Sequence, residues 1–287
     1  MVQTERKYQS KDVTLTSGHR LRYYEWGSAG PNVILLHGSS GYGLMWEWTA
    51  DRLDDACHVF ALDQRGHGDS DRPDGVYSAE EYAQDVHEFI QALGLGSAIV
   101  GGHSLGGRVS QVFAAEYPDE CQGIILVGGV HLSNFYHDRE RMAQVLRSAC
   151  SMLNSPADFA SREEALTFLR GSRGDRETEA SLEHRIDHNM VPRGDGFTVK
   201  YDPVRVAQGL THMATDLRGY AARVSCPVVL LRSTVGSELT PDSAQEIAAC
   251  WRNASVVDVA GGYLLHVQNP AGTAEAIARF VEATART

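Results

Sequence analysis

Ala98-Ile99-Val100-Gly101-Gly102-His103-Ser104-Leu105-Gly106-Gly107 is the stretch on which the fold turns. Its first residues form an apolar run of the kind a buried strand needs. A helix is predicted after it, through roughly Glu116, ending before Pro118 because the residue ahead of a proline is driven out of the helical region. Between strand and helix lies Gly-x-Ser-x-Gly. A turn this tight leaves no room for side chains at the flanking positions. It lifts the Ser104 hydroxyl above the sheet edge, at the mouth of a helix. There the Leu105 N–H points at any oxyanion developing on a substrate. A chance match in a glycine-containing loop is disfavoured, because strand and helix both fit.

Outward from this turn, strand-like and helix-like segments alternate. Val13–Thr16 and Leu21–Trp26 flank Ser17-Gly18 and read as a hairpin. Val33–Leu36, Val59–Leu62 and Ile124–Val127 are short apolar runs, expected as buried strands. Ser78–Leu93 has helical periodicity, with Ser78 and Glu81 spaced as a capping box. From about His131 to Arg223 the chain reads as helical and charged, interrupted by a turn-rich piece at Pro192–Tyr201. Strand (Pro227–Leu231), helix (Pro241–Trp251), strand (Ser255–Val259) and helix (Ala271–Ala285) then follow. Buried strands alternating with helices predict an α/β fold with a mostly parallel central sheet covered by helices on both faces. Residues 1–130 and 224–287 are expected to form the core, and residues 131–223 a helical cap.

The chain has 287 residues, 43% hydrophobic and 22% charged, enough for one large domain with an insertion. A formal net charge of −11 disfavours nucleic acid and anionic membrane surfaces as partners. The expected partner is a small-molecule substrate, bound by a monomer or homodimer. Cys57, Cys121, Cys150, Cys226 and Cys250 are widely spaced and odd in number, with no zinc-type cluster. Neither a metal nor an organic cofactor is expected. Reduced thiols and a polar N-terminus without an apolar run read as a cytoplasmic protein.

These motifs resemble the α/β-hydrolase superfamily, specifically its bacterial cap-bearing branch of small esterases, cofactor-free haloperoxidases and C–C bond hydrolases. The likeness covers nearly the whole chain. Leu36-His37-Gly38-Ser39-Ser40-Gly41 is similar to the family's oxyanion loop, which implies Ser39 N–H as a second donor beside Leu105. Asp63-Gln64-Arg65-Gly66-His67-Gly68-Asp69-Ser70 is similar to the turn that braces that loop, and Tyr201-Asp202-Pro203 is common in the branch.

Two positions depart from the family pattern. Where the resemblance implies a catalytic aspartate, the run Arg232-Ser233-Thr234-Val235-Gly236-Ser237 places Val235, a vacant acid position. Where it implies the catalytic histidine, Gly262-Tyr263-Leu264-Leu265-His266-Val267-Gln268-Asn269-Pro270 places Tyr263. His266 matches a second, usually structural histidine. The two replacements are mutually consistent, because an aspartate without its histidine would be an orphan buried charge. The triad is thus degenerate, and a phenol is a poor base but a good hydrogen-bond donor at neutral pH.

His131 and His266 are the histidines weighed as replacement bases. His103 is expected to point away from Ser104, and His37 and His67 to brace loops. His184, His188 and His212 are left open between surface and pocket. Glu238 is a possible acid, more simply read as solvated. Met142, Leu146, Met152, Phe159, Leu166, Phe168 and Leu169 are expected to pack the cap, a minority lining a mostly apolar pocket. Glu163-Glu164 and Asp175-Arg176-Glu177 read as solvated faces.

The expected function is a cofactor-independent enzyme acting on a small apolar carbonyl compound. A non-hydrolytic lyase, isomerase or cyclase step in secondary metabolism is favoured, with Ser104 and the oxyanion hole stabilising an enolate or oxyanion. The alternatives are a serine ester or thioester hydrolase or acyltransferase with a relocated base, and a non-catalytic ligand-binding protein on a degenerate hydrolase.

Overall fold

A computed structural model describes residues 7–128, 139–174, 176–236 and 239–286. Eight strands form the central sheet: β1 (Gln9–Thr14), β2 (Arg20–Trp26), β3 (Asn32–Leu36), β4 (His58–Leu62), β5 (Ala98–His103), β6 (Cys121–Val127), β10 (Val228–Ser233) and β11 (Ala254–Val259). Their order is β1-β2-β4-β3-β5-β6-β10-β11. The first hairpin pairs antiparallel and joins β4 antiparallel, whereas β4, β3, β5, β6, β10 and β11 run parallel. The predicted alternation of strands and helices is therefore present in this order.

Successive strand side chains face opposite sides of the sheet. Ile34, Leu36 and Val100 accordingly pack on one face with Val86, Phe89, Val109 and Phe113, from helices Ala79–Leu93 and Leu105–Glu116. Val33, Leu35 and Ile99 pack on the other face with Trp46 and with Ile277 of helix Pro270–Thr284. Both faces being buried explains why these strands read as continuous apolar runs. Ser78 caps its helix, its hydroxyl accepting from Glu81 N at 3.4 Å as the capping box requires.

Between β6 and β10 the chain leaves the sheet. Helices Arg139–Asn154, Arg162–Arg173, Glu179–Asn189 and Pro203–His212 dominate this inserted segment. Here the expectation of helices with one turn-rich interruption needs correcting. Three short strands, β7 (Asp158–Phe159), β8 (Met190–Arg193) and β9 (Gly196–Val199), form a second sheet in the order β7-β9-β8. Gly194, at φ +58°, lets Gly194-Asp195 close the β8–β9 hairpin. Phe159, Leu166, Leu169, Leu182 and Ile186 give this segment its own small core.

β5 runs straight into the helix Leu105–Glu116 through Ser104. A Cβ on Gly106 would lie 2.3 Å from Leu36 O, and one on Gly102 2.2 Å from the carbonyl carbon of Gly106. The elbow therefore packs backbone against backbone. Gly106→Ala is expected to destabilise the protein by about 3 kcal/mol or more in urea unfolding. Gly219→Ala, where nothing lies within 4 Å of the added methyl, should stay within about 1 kcal/mol of the parent.

Candidate active site

Ser104 sits at φ 52° and ψ −108°, a left-handed conformation that a serine adopts only when its surroundings enforce it. The close passage of Gly102 and Gly106 supplies that enforcement. Leu105 opens the helix, so its N–H lacks an intrahelical acceptor.

The loop facing it, Gly38 to Gly41, is held from below by two imidazoles. Gln64 N donates to His37 Nε2 at 3.1 Å, and the ring's Nδ1–H donates to Gly38 O at 2.8 Å. Ser40 N donates to His67 Nε2 at 3.2 Å, and that ring donates from Nδ1 to Arg65 O at 3.0 Å. Both rings are thus neutral with the proton on Nδ1. Burial lowers the basicity of each, bringing His67 to about 4 and His37 well below its ordinary value. The bracing role expected for both histidines matches their partners. Asp63, fully buried, accepts from Gly43 N at 2.6 Å and Asp69 N at 2.9 Å. Burial still pushes its carboxyl up to about 6.

From above, the loop is held by the inserted segment. Arg185 Nη1 and Asn189 Nδ2 each donate to Ser40 O at 3.2 Å, and Arg173 Nη2 donates to Ser40 Oγ at 3.0 Å. Ser40 is itself left-handed, at φ 56°. Glu177 holds the two arginines together, 2.8 Å from Arg185 Nη2 and 3.5 Å from Arg173 Nη1, and accepts from Ser181 Oγ at 2.7 Å. Burial alone would raise the Glu177 carboxyl, but Arg185 and Arg173 bring it below the usual range. Arg173 is lowered to about 10, first by the neighbouring Arg185 and then by burial.

Ser104 and this loop open into a cavity of about 600 Å³, within the range of small-molecule sites. Ser39, Tyr263 and His103 line it too. The expectation of a mostly apolar pocket is corrected here. Met152, Phe159, Phe168 and Leu169 do line the cavity, but so do Arg147, Arg173, Arg176, Arg185 and Glu177. Of the run read from sequence as a solvated face, Glu177 points inward, its side chain being 1% exposed, whereas Arg176 borders the cavity and is exposed as expected. One signal was present in the sequence. On helix Glu179–Asn189, Arg185 and Asn189 fall on the face that buries Leu182 and Ile186, where a merely solvated arginine has no reason to be.

The structure places the remaining expected site residues as follows. The Tyr263 ring meets His103 edge-on, centroids 4.6 Å apart, with the Arg176 guanidinium 5.8 Å from the ring centre. His103 lines the cavity. Its Nε2–H donates to Tyr263 O at 3.1 Å, and Nδ1 has no hydrogen-bond partner among the described residues. Burial brings this imidazole to about 4. His266 does not reach Ser104. It is fully buried, stacked on Trp46 at 4.3 Å, with neither ring nitrogen hydrogen-bonded among the described residues. Burial holds it neutral. Val235 does neighbour the Tyr263 loop, its N–H donating to Gly261 O at 3.0 Å, but its side chain is 63% exposed. An acid there would not have been a buried charge, so that part of the argument for coupled loss falls away. His131 and Glu238 lie outside the described residues.

A family model described as alpha/beta hydrolase fold matches residues 31–167. The chain is 27% identical over 264 residues to the 2-(acetamidomethylene)succinate hydrolase of Mesorhizobium japonicum, covering 92% of each. It is 33% identical over 152 residues to Lipase 3 of Moraxella sp. strain TA144, covering 52% of this chain and 48% of that one. The crystal structure of E-2-(acetamidomethylene)succinate hydrolase superposes with a TM-score of 0.85 at 25% identity, covering 96% of this chain and 99% of that one.

Glu177→Gln tests the buried cluster. It leaves Arg173 and Arg185 without their shared counter-charge, and should cost about 3 kcal/mol in urea unfolding. A loss below about 1 kcal/mol would mean that the arginines are neutralised elsewhere.

Proposed function

Because this chain belongs to the α/β-hydrolase superfamily, we propose that it is an enzyme acting on a small carbonyl compound that carries at least one carboxylate. The observation that carries this reading is the charge of the cavity. Four arginines and one glutamate line it among the described residues, in a chain whose formal net charge is −11. Arg173 and Arg185 share Glu177 as counter-charge, and Arg147 and Arg176 border the cavity from exposed positions; such a cationic lining favours an anion, and the planar guanidinium matches a carboxylate in two parallel hydrogen bonds.

Arg173, 30% exposed against 4% for Arg185, is the substrate-facing member of the pair, and Arg185 is the clamp on Ser40. Arg147 and Arg176 also line the cavity and suit a second carboxylate. The substrate carbonyl then sits at Ser104, its oxygen toward the N–H groups of Leu105 and Ser39, with the Tyr263 phenol as a further donor. Charge growing on that oxygen is stabilised without a proton relay through serine. Val235 and Tyr263 in the acid and base positions favour enolate or oxyanion chemistry, including C–C or C–N bond cleavage, over acyl transfer to Ser104. The related protein named for a succinate derivative supports a dicarboxylate in particular.

The second reading is a serine hydrolase with a relocated base, supported by the hydrolase named among the relatives. His103 is the described histidine for that role, since its Nδ1 has no partner and its ring borders the cavity. A pKa of about 4 makes it a weak base.

A fluorophosphonate probe separates the two readings. The first expects labelling of Ser104 at pH 7 slower by at least about 10³-fold than for an active serine esterase, rates being followed by intact mass. Labelling as fast as an esterase's, abolished in Ser104→Ala and slowed in His103→Ala, establishes the second. Matched carbonyl compounds test the substrate class. The free acids should turn over at least about tenfold faster than their methyl esters, and the reverse preference would exclude a carboxylate subsite.

A further inference from the structure

Glu47, His184 and His188 come together on the outer side of the junction between core and inserted segment. Glu47 belongs to the short helix Glu47–Ala50 of the core, and both histidines to helix Glu179–Asn189. One carboxylate oxygen and one ring nitrogen from each histidine all lie within 4.8 Å of one another. His184 Nε2 is 2.7 Å from Glu47 Oε2, and the two imidazole centroids are 4.4 Å apart. The spacing of four residues puts both rings on one helix face, a turn apart. We propose that Glu47, His184 and His188 form a binding site for one divalent late first-row transition ion, with zinc the best match, joining the inserted segment to the core.

The donor set determines the class of ion. Two neutral imidazoles and one carboxylate suit zinc, cobalt or nickel, whereas calcium and magnesium call for oxygen ligands throughout. Ligands about 2.0–2.2 Å from a tetrahedral zinc are about 3.3 Å from one another. The His184–Glu47 contact has to open by about 0.6 Å to admit the ion. The carboxylate and the second ring are already gathered around that gap.

The surroundings fit as well. Tyr42 Oη lies 2.8 Å from His184 Nδ1, the ring nitrogen not aimed at Glu47. That contact fixes the ring's orientation, and with the proton on Nδ1 the Nε2 lone pair faces the ion. Trp48 packs on the same ring at 4.8 Å and shields one side. All three ligands remain partly exposed, which gives the ion an entry path and leaves its open positions for water.

The site is independent of the cavity chemistry proposed above, but mechanically adjacent to it. Arg185 follows His184 in the chain and reaches Ser40 O, and its guanidinium lies 5.5 Å from the Tyr42 ring centre. A bound ion stiffens this helix against the core, and with it the clamp on the loop facing Ser104.

Cobalt(II) provides the test, because its visible absorption reports coordination by nitrogen and oxygen. Metal-free, tag-free full-length protein is titrated with cobalt chloride, then with zinc sulfate as competitor. Saturation at one equivalent is expected, with displacement by zinc and a zinc-dependent rise in melting temperature. His188→Ala and Glu47→Gln should each weaken binding at least tenfold and remove the melting shift, while circular dichroism matches the parent. Absence of stoichiometric binding by the parent protein overturns the proposal. So does undiminished affinity in either variant.

Discussion

Two donors from the inserted segment, Arg185 Nη1 and Asn189 Nδ2, converge on the carbonyl oxygen of Ser40, and the site depends on that convergence. A carbonyl accepting two hydrogen bonds from above, on a residue whose N–H is held by His67 from below, cannot turn without breaking three contacts at once. Ser40 can therefore remain in a left-handed conformation, and the neighbouring Ser39 keeps its place on the cavity wall. The loop opposite Ser104 belongs structurally to both the core and the insertion.

The same contacts account for the cavity's charge. Arg185 is needed at Ser40 and is fully buried, so it requires Glu177. Arg173 shares that glutamate and also reaches Ser40 Oγ. Two guanidinium groups against one carboxylate leave a net positive charge at the cavity wall, and Arg147 and Arg176 add to it. The proposal of an anionic substrate rests on this balance of charge rather than on any single residue.

How legible these features were in the sequence depends on how local their causes are. The Ser104 turn was readable because its sterics are set within five residues, and the strands flanking it because both sheet faces are buried. The loop Gly38–Gly41 and the bracing histidines followed from a recognisable motif. The arginine cluster did not, since Ser40, Arg173 and Arg185 meet only after the insertion folds back across the sheet; the contact of Arg185 with Ser40 spans 145 residues. Glu47 and His184 likewise meet across 137 residues, a pairing that no local spacing announces. His266, expected as a packed structural histidine, has that environment, whereas Val235, expected at a buried acid position, does not. One is sealed against Trp46 and the other faces solvent. Spacing along a sequence locates a loop without deciding which side chains it turns inward.

A cavity whose anion subsite is built by Arg173 should bind a dicarboxylate directly, whatever reaction follows. Calorimetric titration of the protein with succinate, with its neutral diamide and with the Arg173→Met variant measures this. The account predicts one succinate site per chain, weakened at least about tenfold in Arg173→Met, and no detectable binding of the diamide. Equal binding of acid and diamide, or succinate affinity unchanged in Arg173→Met, would contradict it.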